Sequence, residues 1–426
     1  MIETLLLFLK KLIPAGLFVV CQPIYHKTLA LLGAALYGFP SRKLAVIAVT
    51  GTKGKSSVVE LINAILEEAG FVTALANTIR FKIRDDSRPN IYKMTMPGRF
   101  FLQRFLRKAV KAGCTHAVLE MTSEGARQFR HRFIELDALI FTNLAPEHIE
   151  SHGSYENYIA AKVSIAEALQ ASKKRSKLLI VNGDDKEAEK FLKVFSGTKI
   201  SYGRADAVEP LTTSDGVSFA WHDAHIESKL PGEFSLYNIL AAITYAQAVG
   251  VPMEKIRSGI KKVAVIPGRA QKIEAGQNFL VVVDYAHTPD SLEKLYQTYA
   301  GHYRRCVLGN TGGGRDRWKR PVMAGVAEKY CDEIIFTNED PYDENPEEII
   351  QEMAIGVKHK TPLLILERRA AIRTALEHAS IGDVVLITGK GTDPCICGPH
   401  GTKVLWDDAS VVKEELEKVL FEKSKT

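Results

Sequence analysis

The segment Thr50–Ser56, with the sequence TGTKGKS, carries the clearest chemical signal in the chain. It combines glycines, lysines and hydroxyl side chains between a predicted strand and a predicted helix. Glycines let the backbone wrap around a phosphate, and a helix amino end adds N–H donors and a favourable dipole. Lys55 would reach the outer phosphates, and the Ser56 hydroxyl would reach a magnesium ion. The usual spacing puts a glycine where this chain has Val49, so the pattern predicts nucleotide binding through a shortened phosphate loop.

The elements around this loop predict an α/β fold. From Lys43 onward, short β-branched runs alternate with longer helical stretches, which is typical of stacked βαβ units and parallel sheets. The strands predicted in the first half are Leu44–Val49, Ala117–Glu120, Ala138–Thr142 and Leu178–Val181. Helices are predicted at about 56–69, 236–249 and 253–262, with a small β excursion at about 199–233.

A second open α/β sheet is predicted beyond Pro267-Gly268-Arg269, which has the composition of a domain junction. Its predicted strands are Leu280–Asp284, Arg305–Leu308, Glu333–Thr337, Leu363–Leu366 and Val384–Thr388. Helices separate these strands, so this half also follows the βαβ pattern.

The composition of the 426-residue chain narrows the functional classes. With 46% hydrophobic and 25% charged residues it is typical of a soluble globular protein, not of a collagen-like or disordered chain. A net charge of +6 is too small an excess to indicate nucleic-acid binding. Six scattered cysteines do not form a disulfide framework, so we expect reduced thiols in a cytoplasmic compartment.

The first 43 residues form an apolar arm that charged residues and prolines interrupt. No uninterrupted apolar run approaches the roughly 20 residues that a bilayer-spanning helix needs. One interpretation is a helical arm packed on the protein. The other is a helix lying on the membrane surface, with basic residues near lipid headgroups. Those residues are Lys10, Lys11, Lys27, Arg42 and Lys43.

Several further segments, in one order, give the chain a resemblance to the Mur ligases. They are Leu119–Ser123, Phe141–Leu144, Glu147-His148, Tyr155–Lys162, Tyr237-Asn238, Pro267–Arg269, Asp284–Asp290 and Gly312–Arg317. Within that family, the sequence DYAHTPD at Asp284–Asp290 is most similar to the tripeptide synthetases (MurE type), which add the third residue of the peptidoglycan stem. The resemblance covers about residues 43–408. It implies a central ATP-binding domain with a parallel sheet at 44–266 and a Rossmann-like ligase domain at 267–426, after the apolar helical arm at 1–43.

The resemblance implies a reaction with ATP and magnesium. ATP phosphorylates a substrate carboxylate, and an incoming amine attacks the acyl phosphate and expels phosphate. The residues that it implies for nucleotide binding are Gly51, Thr52, Lys53, Gly54, Lys55, Ser56, Ser57, Asn238, Arg269 and Asp284. Catalysis is assigned to Lys55, Glu120, His148 and Lys162, and metal binding to Ser56, Glu120, His148 and Lys162. Lys162 is expected to be carbamylated, which requires a neutral amine and therefore a lowered pKa.

The implied substrates are a UDP-linked muramoyl peptide and an amino acid. The residues that match substrate positions are Thr95, Thr122, Gln128, Arg130, Arg315, Asp340, Tyr342 and Asp393. Members that use diaminopimelate carry an arginine, in an Asp-Asn-Pro-Arg segment, where this chain has Tyr342. Tyrosine cannot neutralise a carboxylate, so the sequence favours a basic acceptor such as L-lysine or ornithine. The alternative is that Tyr342 packs on its loop and Arg315 or Lys319 binds the distal carboxylate.

Other interpretations keep the fold and change the function. About forty residues precede the phosphate loop, too few for the uridine-diphosphate-binding domain that the resemblance would place there. The substrate could therefore be a lipid-linked muropeptide, or a folylpolyglutamate-like compound. A catalytically inactive nucleotide-binding scaffold is a further alternative, although Lys55, Glu120, His148 and Lys162 would have no purpose in one.

Overall fold

The computed structural model describes the backbone of residues 15–425 and the side chains of residues 22–425. Its first sheet has eight strands and is parallel except for a hairpin at one edge. In spatial order the strands are β4 (Asp86–Pro89), β3 (Arg80–Ile83), β2 (Thr73–Ala76), β5 (His116–Glu120), β1 (Ala45–Thr50), β6 (Ala138–Phe141), β7 (Leu178–Asn182) and β8 (Thr198–Tyr202).

Strand β1 lies at the centre of this sheet and sets the position of the phosphate loop. Val49 pairs with Glu120 at the end of β5, and Thr50 pairs with Phe141 at the end of β6. The carboxyl ends of the three strands therefore meet at one edge, where the loop begins. Alternate residues of β1 face opposite cores, as the two-residue period of a strand requires.

Helices cover both faces of the first sheet. They are α1 (Ala15–Leu36), α2 (Lys55–Glu68), α3 (Arg99–Lys111), α4 (Ser123–Arg127), α5 (Ile149–His152), α6 (Tyr155–Ala171), α7 (Ala188–Lys193), α8 (Glu233–Ala248) and α9 (Met253–Lys262). Residues of α2, α8 and α9 share one apolar core, and residues of α3 and α6 contribute to the other. A small antiparallel sheet contains β9 (Val208–Thr212), β10 (Val217–Trp221) and β11 (Ala224–Ser228).

The second half contains a six-stranded sheet, parallel except for its first strand. In spatial order the strands are β12 (Gln271–Lys272), β13 (Leu280–Asp284), β17 (Val384–Thr388), β14 (Arg304–Leu308), β15 (Glu333–Phe336) and β16 (Leu363–Leu364). The helices are α10 (Pro289–Thr298), α11 (Lys319–Tyr330), α12 (Pro346–Ala354), α13 (Arg368–His378) and α14 (Asp408–Lys423). A two-stranded ribbon, β18 (Cys395–Cys397) and β19 (Lys403–Leu405), follows the last strand of the sheet.

The described part of the N-terminal arm is helical, as predicted. Helix α1 contains Pro23 and packs on α3 through Ala30, Gly33 and Ala34, which are buried. Residues 1–14, with Lys10 and Lys11, lie outside the described part of the chain. Within residues 15–425, no helix has the length and hydrophobicity needed to cross a bilayer.

The predicted α/β class is confirmed, and two local expectations need correction. Strand β2 and the hairpin of β3 and β4 were not expected from the sequence, because β2 has only one β-branched residue and the hairpin is largely polar. The expectation of reduced thiols is wrong for Cys306 and Cys331, which the structure joins in a disulfide. Among the described residues, Cys114, Cys395 and Cys397 are free thiols.

Candidate active site

Two glycines of the phosphate loop have conformations and close neighbours that disfavour any side chain. Gly51 has a φ of +149°, and a β-carbon there would lie 1.9 Å from the Thr142 hydroxyl. Gly54 has a φ of +83° directly before α2, and a β-carbon there would lie 2.3 Å from Oδ1 of Asn238. A left-handed conformation favours glycine. The loop backbone is therefore held against neighbouring segments, and the N–H groups of Thr52 and Lys53 donate to the carbonyl and the side-chain oxygen of Asn143, at 2.8 and 2.9 Å. The loop leads directly into the amino end of α2, where a phosphate would be favoured.

Glu120 ends β5 beside the start of α2 and binds the loop serine. Oγ of Ser56 donates to Oε2 of Glu120 over 2.7 Å, and Nζ of Lys55 lies 3.9 Å from Oε1. Thr78 donates to the same carboxylate through its backbone N–H and its hydroxyl, at 2.9 and 3.0 Å. Hydroxyl and carboxylate oxygens are the donors that magnesium prefers. Ser56 and Glu120 therefore fit the predicted metal site.

Lys162 is buried next to the phosphate loop. Its Nζ donates to the carbonyl of Gly51 over 2.7 Å and lies 4.9 Å from the ring centre of Tyr158, one helical turn earlier. Burial, with a contribution from nearby Lys55, lowers the pKa of Lys162 well below its ordinary value. A neutral amine in this position has the protonation state that carbamylation needs.

A network of charged groups connects the two halves of the chain. Nζ of Lys53 lies 3.0 Å from Oε1 of Glu147 and 3.3 Å from Nε2 of His287, and His287 lies 2.9 Å from the same carboxylate oxygen. His148, with a left-handed φ of +58°, precedes α5 beside this network. Burial lowers the pKa of His148 to about 4 and that of His287 to about 3. Both imidazoles are therefore neutral near pH 7 and available as acceptors or ligands.

A cavity of about 550 Å³ opens from the loop towards the second sheet. Its lining includes the predicted nucleotide-binding residues Lys53, Gly54, Ser57, Asn238, Arg269 and Asp284. The guanidinium of Arg269 stacks on the ring of Tyr285 at 4.5 Å. The Asp284 carboxylate accepts from the N–H groups of Ala270 and Ala286, at 2.6 Å each. The cavity and the loop together fit a nucleotide held between the two halves of the chain.

The four residues predicted to bind the muramoyl substrate lie together around Met96. The hydroxyl of Thr95 hydrogen-bonds that of Thr78 over 2.7 Å, which brings it next to Glu120. The backbone N–H of Thr122 lies 3.4 Å from the Met96 sulfur, and Arg130 donates to the Met96 carbonyl. Arg130 also donates to the Gln128 side chain over 2.7 Å. The substrate carboxylate would thus approach the loop from this side.

The predicted acceptor residues form a cluster in which two lysines face two aspartates. The buried Nζ of Lys390 lies 2.9 Å from both Asp340 oxygens and 3.2 Å from Asp393. Lys93, from the loop before α3, reaches across to the same carboxylates, with Nζ 2.6 Å from Asp340 and 3.6 Å from Asp393. Although burial alone would lower the pKa of Lys93, Asp393 and Asp340 raise it above the ordinary value. Lys93 is therefore a cation bound between them.

Tyr342 lies beside this cluster, where the resemblance placed an arginine. The ammonium group of Lys93 lies 5.8 Å from the centre of its ring. The guanidinium of Arg315 hydrogen-bonds the Tyr342 side chain, and its Nη1 lies 3.5 Å from Nδ1 of His148. Lys319 points elsewhere, since its Nζ donates to the His287 carbonyl. Arg315 is thus the nearer of the two basic residues named as alternatives.

Sequence reasoning did not identify Lys93, Lys390 or Thr78 as parts of the site. Lys93 and Thr78 come from loops at the edge hairpin, and only the fold brings them to Asp340 and Glu120. Lys390 offered a signal, because it lies three residues before Asp393 in the glycine-flanked segment Gly389–Gly391. A position between two glycines at the end of a buried strand is unusual for a lysine whose side chain is solvated.

Comparison with known proteins decides the family. Residues 49–246 match the Mur ligase middle domain, and residues 268–391 match the Mur ligase glutamate ligase domain. The chain is 37% identical over 422 residues to a UDP-N-acetylmuramyl-tripeptide synthetase of Roseiflexus, covering 92% of this chain and 82% of the relative. This chain belongs to the Mur ligase family. It is also 38% identical to a UDP-N-acetylmuramoyl-L-alanyl-D-glutamate–2,6-diaminopimelate ligase of Syntrophomonas wolfei, covering 87% and 78% of the two chains.

Solved structures agree with this Mur ligase fold. A diaminopimelate ligase structure is 29% identical, with a TM-score of 0.59, and covers 88% of this chain and 78% of that one. Folylpolyglutamate synthase of Mycobacterium tuberculosis shares the fold at 16% identity, with a TM-score of 0.69 and coverage of 92% and 95%. This Mur ligase is an ATP-dependent amide ligase of peptidoglycan synthesis, and its family generally uses magnesium with ATP.

Proposed function

We propose that this Mur ligase adds the third stem amino acid to UDP-N-acetylmuramoyl-L-alanyl-D-glutamate. The observation that carries the proposal is the convergence of Ser56, Glu120 and Lys162 on the phosphate loop, next to the residues around Met96. A nucleotide in the cavity and a carboxylate beside Met96 would meet at this point. The protein then supplies positioning and charge stabilisation, which are the main needs of phosphoryl transfer.

The proposed reaction has two steps, and the residues of the chain have different roles in each. In the first, the substrate carboxylate attacks the γ-phosphorus of ATP, ADP leaves, and Lys55 stabilises the charge on the transferred group. In the second, the acceptor amine attacks the acyl carbon, phosphate leaves, and an amide forms. Bound magnesium would neutralise phosphate charge throughout. Ser56, Glu120 and His148 are the proposed protein ligands of one ion, and the carbamate of Lys162 would hold a second. Arg269 and Asp284 would hold the ribose and phosphates across the cavity.

We propose a basic acceptor, such as L-lysine or ornithine. Tyr342 brings no charge for a distal carboxylate, whereas Asp340 and Asp393 would bind the cation of an acceptor that takes the place of Lys93, with Lys390 remaining beside them. The ammonium group of Lys93 already lies between these aspartates, so their geometry accepts a group of that kind. Competition between L-lysine and meso-diaminopimelate in one ligation assay tests the choice. A clear preference for diaminopimelate would assign the distal carboxylate to Arg315 instead.

Release of ADP with different substrates separates this proposal from its alternatives. We expect continuous ADP release only when UDP-N-acetylmuramoyl-L-alanyl-D-glutamate and an amino acid are both present, because without the amine the acyl phosphate is not consumed. Turnover with a lipid-linked muropeptide or a folate alone would change the substrate and keep the chemistry. No ADP with any of them would leave a nucleotide-binding scaffold.

We also propose that the enzyme works in the cytoplasm, at the inner face of the membrane, with the N-terminal arm as its contact. Its cosubstrates, ATP and a UDP-linked precursor, are cytoplasmic. The arm supports this location because α1 exposes apolar side chains on the face turned away from α3.

A further inference from the structure

A second cavity, of about 450 Å³, lies between the end of α1 and one side of α3. Its lining contains Ala35, Leu36, Tyr37 and Gly38 from the arm and Arg104, Arg107, Lys108 and Lys111 from α3. The four cations are spaced i, i+3, i+4 and i+7, so they share one face of the helix. Among the side chains of residues 22–425, no acidic one lines this cleft, and α3 itself contains none. The cleft therefore concentrates four positive charges around a space large enough for a phosphate headgroup.

The surface next to this cleft is apolar and exposed. The outer face of α1 carries exposed large apolar side chains, and Leu36 is 70% exposed. They are Ile24, Tyr25, Leu31, Leu32 and Leu36. The opposite face of α1, through Ala30 and Ala34, is fully buried. A contiguous apolar patch on a protein surface marks a site of interaction. Apolar side chains bordered by cations match a bilayer, in which anionic headgroups lie above the acyl chains.

The charge of this region favours a lipid partner. Between Glu3 and Glu60 the chain has no acidic residue, and the next basic side chains after α1, Arg42 and Lys43, are exposed. A nucleic acid would match the cations and leave the leucines without a partner. We propose that the outer face of α1 and the basic face of α3 form one surface, which docks on an anionic bilayer with headgroup phosphates in the cleft.

This surface is continuous with the candidate substrate site. Arg99, the first residue of α3, hydrogen-bonds His26 of α1 over 2.5 Å and donates to the carbonyl of Gln128 over 2.6 Å. Gln128 lies in the group around Met96. Docking would therefore bring the muramoyl end of the site close to the bilayer, a consequence that rests on the proposed function.

Co-sedimentation of the full chain with vesicles tests the docking without any substrate. We expect binding to vesicles containing phosphatidylglycerol, and much weaker binding to pure phosphatidylcholine. Changing Arg104, Arg107, Lys108 and Lys111 to Gln should weaken binding by about 600-fold, since each of the four cations near an anionic surface contributes about fivefold. The pair Leu31→Ser and Leu32→Ser should weaken it at least about tenfold, also in high salt, because the lost contribution is apolar.

Matched variants elsewhere on the chain provide the controls. Lys173, Lys193, Lys199 and Lys229, all exposed, are changed to Gln, and the exposed Ile355 and Ile381 are changed to Ser. These variants should bind vesicles like the wild type, and the α3 variant should release ADP in solution at the wild-type rate. The proposal would be overturned if the α1 variant and the α3 variant bound these vesicles as strongly as the wild type. Light scattering that shows a dimer which the leucine variant dissociates, with no vesicle binding by the wild type, would overturn it too.

Discussion

Replacement of Lys162 gives the most direct test of the proposed chemistry. An ordinary lysine has a pKa of about 10.4, so only about one amine in a thousand is neutral at pH 7.4. Each unit by which burial lowers the pKa raises that fraction about tenfold. The fully buried position next to Lys55 therefore makes Lys162 far more reactive towards carbon dioxide than a surface lysine.

We expect Lys162→Ala to reduce turnover by about 10²- to 10³-fold, the usual effect of removing one preorganised electrostatic group. The variant also leaves the Gly51 carbonyl without its 2.7 Å donor, which costs about 1–3 kcal/mol of folding free energy. Thermal unfolding should show a modest loss of stability and an intact fold. Steady-state ADP release at saturating ATP measures the turnover, and short carboxylates should restore part of it.

The Lys162→Arg variant separates a carbamate from a simple positive charge. Arginine provides hydrogen-bond donors and a permanent positive charge, but it forms no carbamate, so it should be as inactive as Lys162→Ala. Lys174→Ala, which removes another lysine bonded to a backbone carbonyl of the same half, is the control and should remain active. Wild-type protein equilibrated with ¹³C-bicarbonate should give a carbamate resonance. Full activity of Lys162→Arg, or an active wild type without that resonance, would refute the carbamate.

Three further outcomes follow from the geometry of the site. Gly51→Ala should weaken ATP binding at least about tenfold by calorimetry, because its β-carbon would displace Thr142 and the loop; wild-type affinity would contradict the close approach. Lys93→Met should lower the KM for L-lysine about tenfold with little change in kcat, because it removes one of the two internal cations that face the acceptor carboxylates and leaves only Lys390; an unchanged KM would exclude that competition. Burial lowers the pKa values of His131 and His287 from 6.5 to about 3. Between about pH 3 and pH 6.5 the unfolded chain therefore binds more protons than the folded protein. The free energy of unfolding should therefore fall as the pH drops from about 6.5 towards 3. Denaturant titrations across that range measure it, and a free energy that does not change with pH would contradict the prediction.

Local sequence determined the elements that hold the loop. The β-branched run before Thr50 and the glycines after it predict a strand, a turn and a helix, and the structure has β1, the loop and α2 in that order. Such elements can be predicted from the sequence because hydrophobic periodicity and the conformational freedom of glycine depend on only a few neighbouring residues. The contact between Tyr158 and Lys162 followed from their spacing of four on one helix for the same reason.

The sequence by itself thus determined the α/β class, the phosphate loop and the order of the segments that carry chemistry. Tertiary structure alone decided which of them meet: Lys93 with Asp340, 247 residues apart, and Lys53 with His287, 234 residues apart. It also decided that Cys306 and Cys331 pair, and that four cations of α3 line a cleft with the end of α1. Contacts of this kind depend on how sheets and helices pack, and no pattern within a single segment encodes the position of a partner in another.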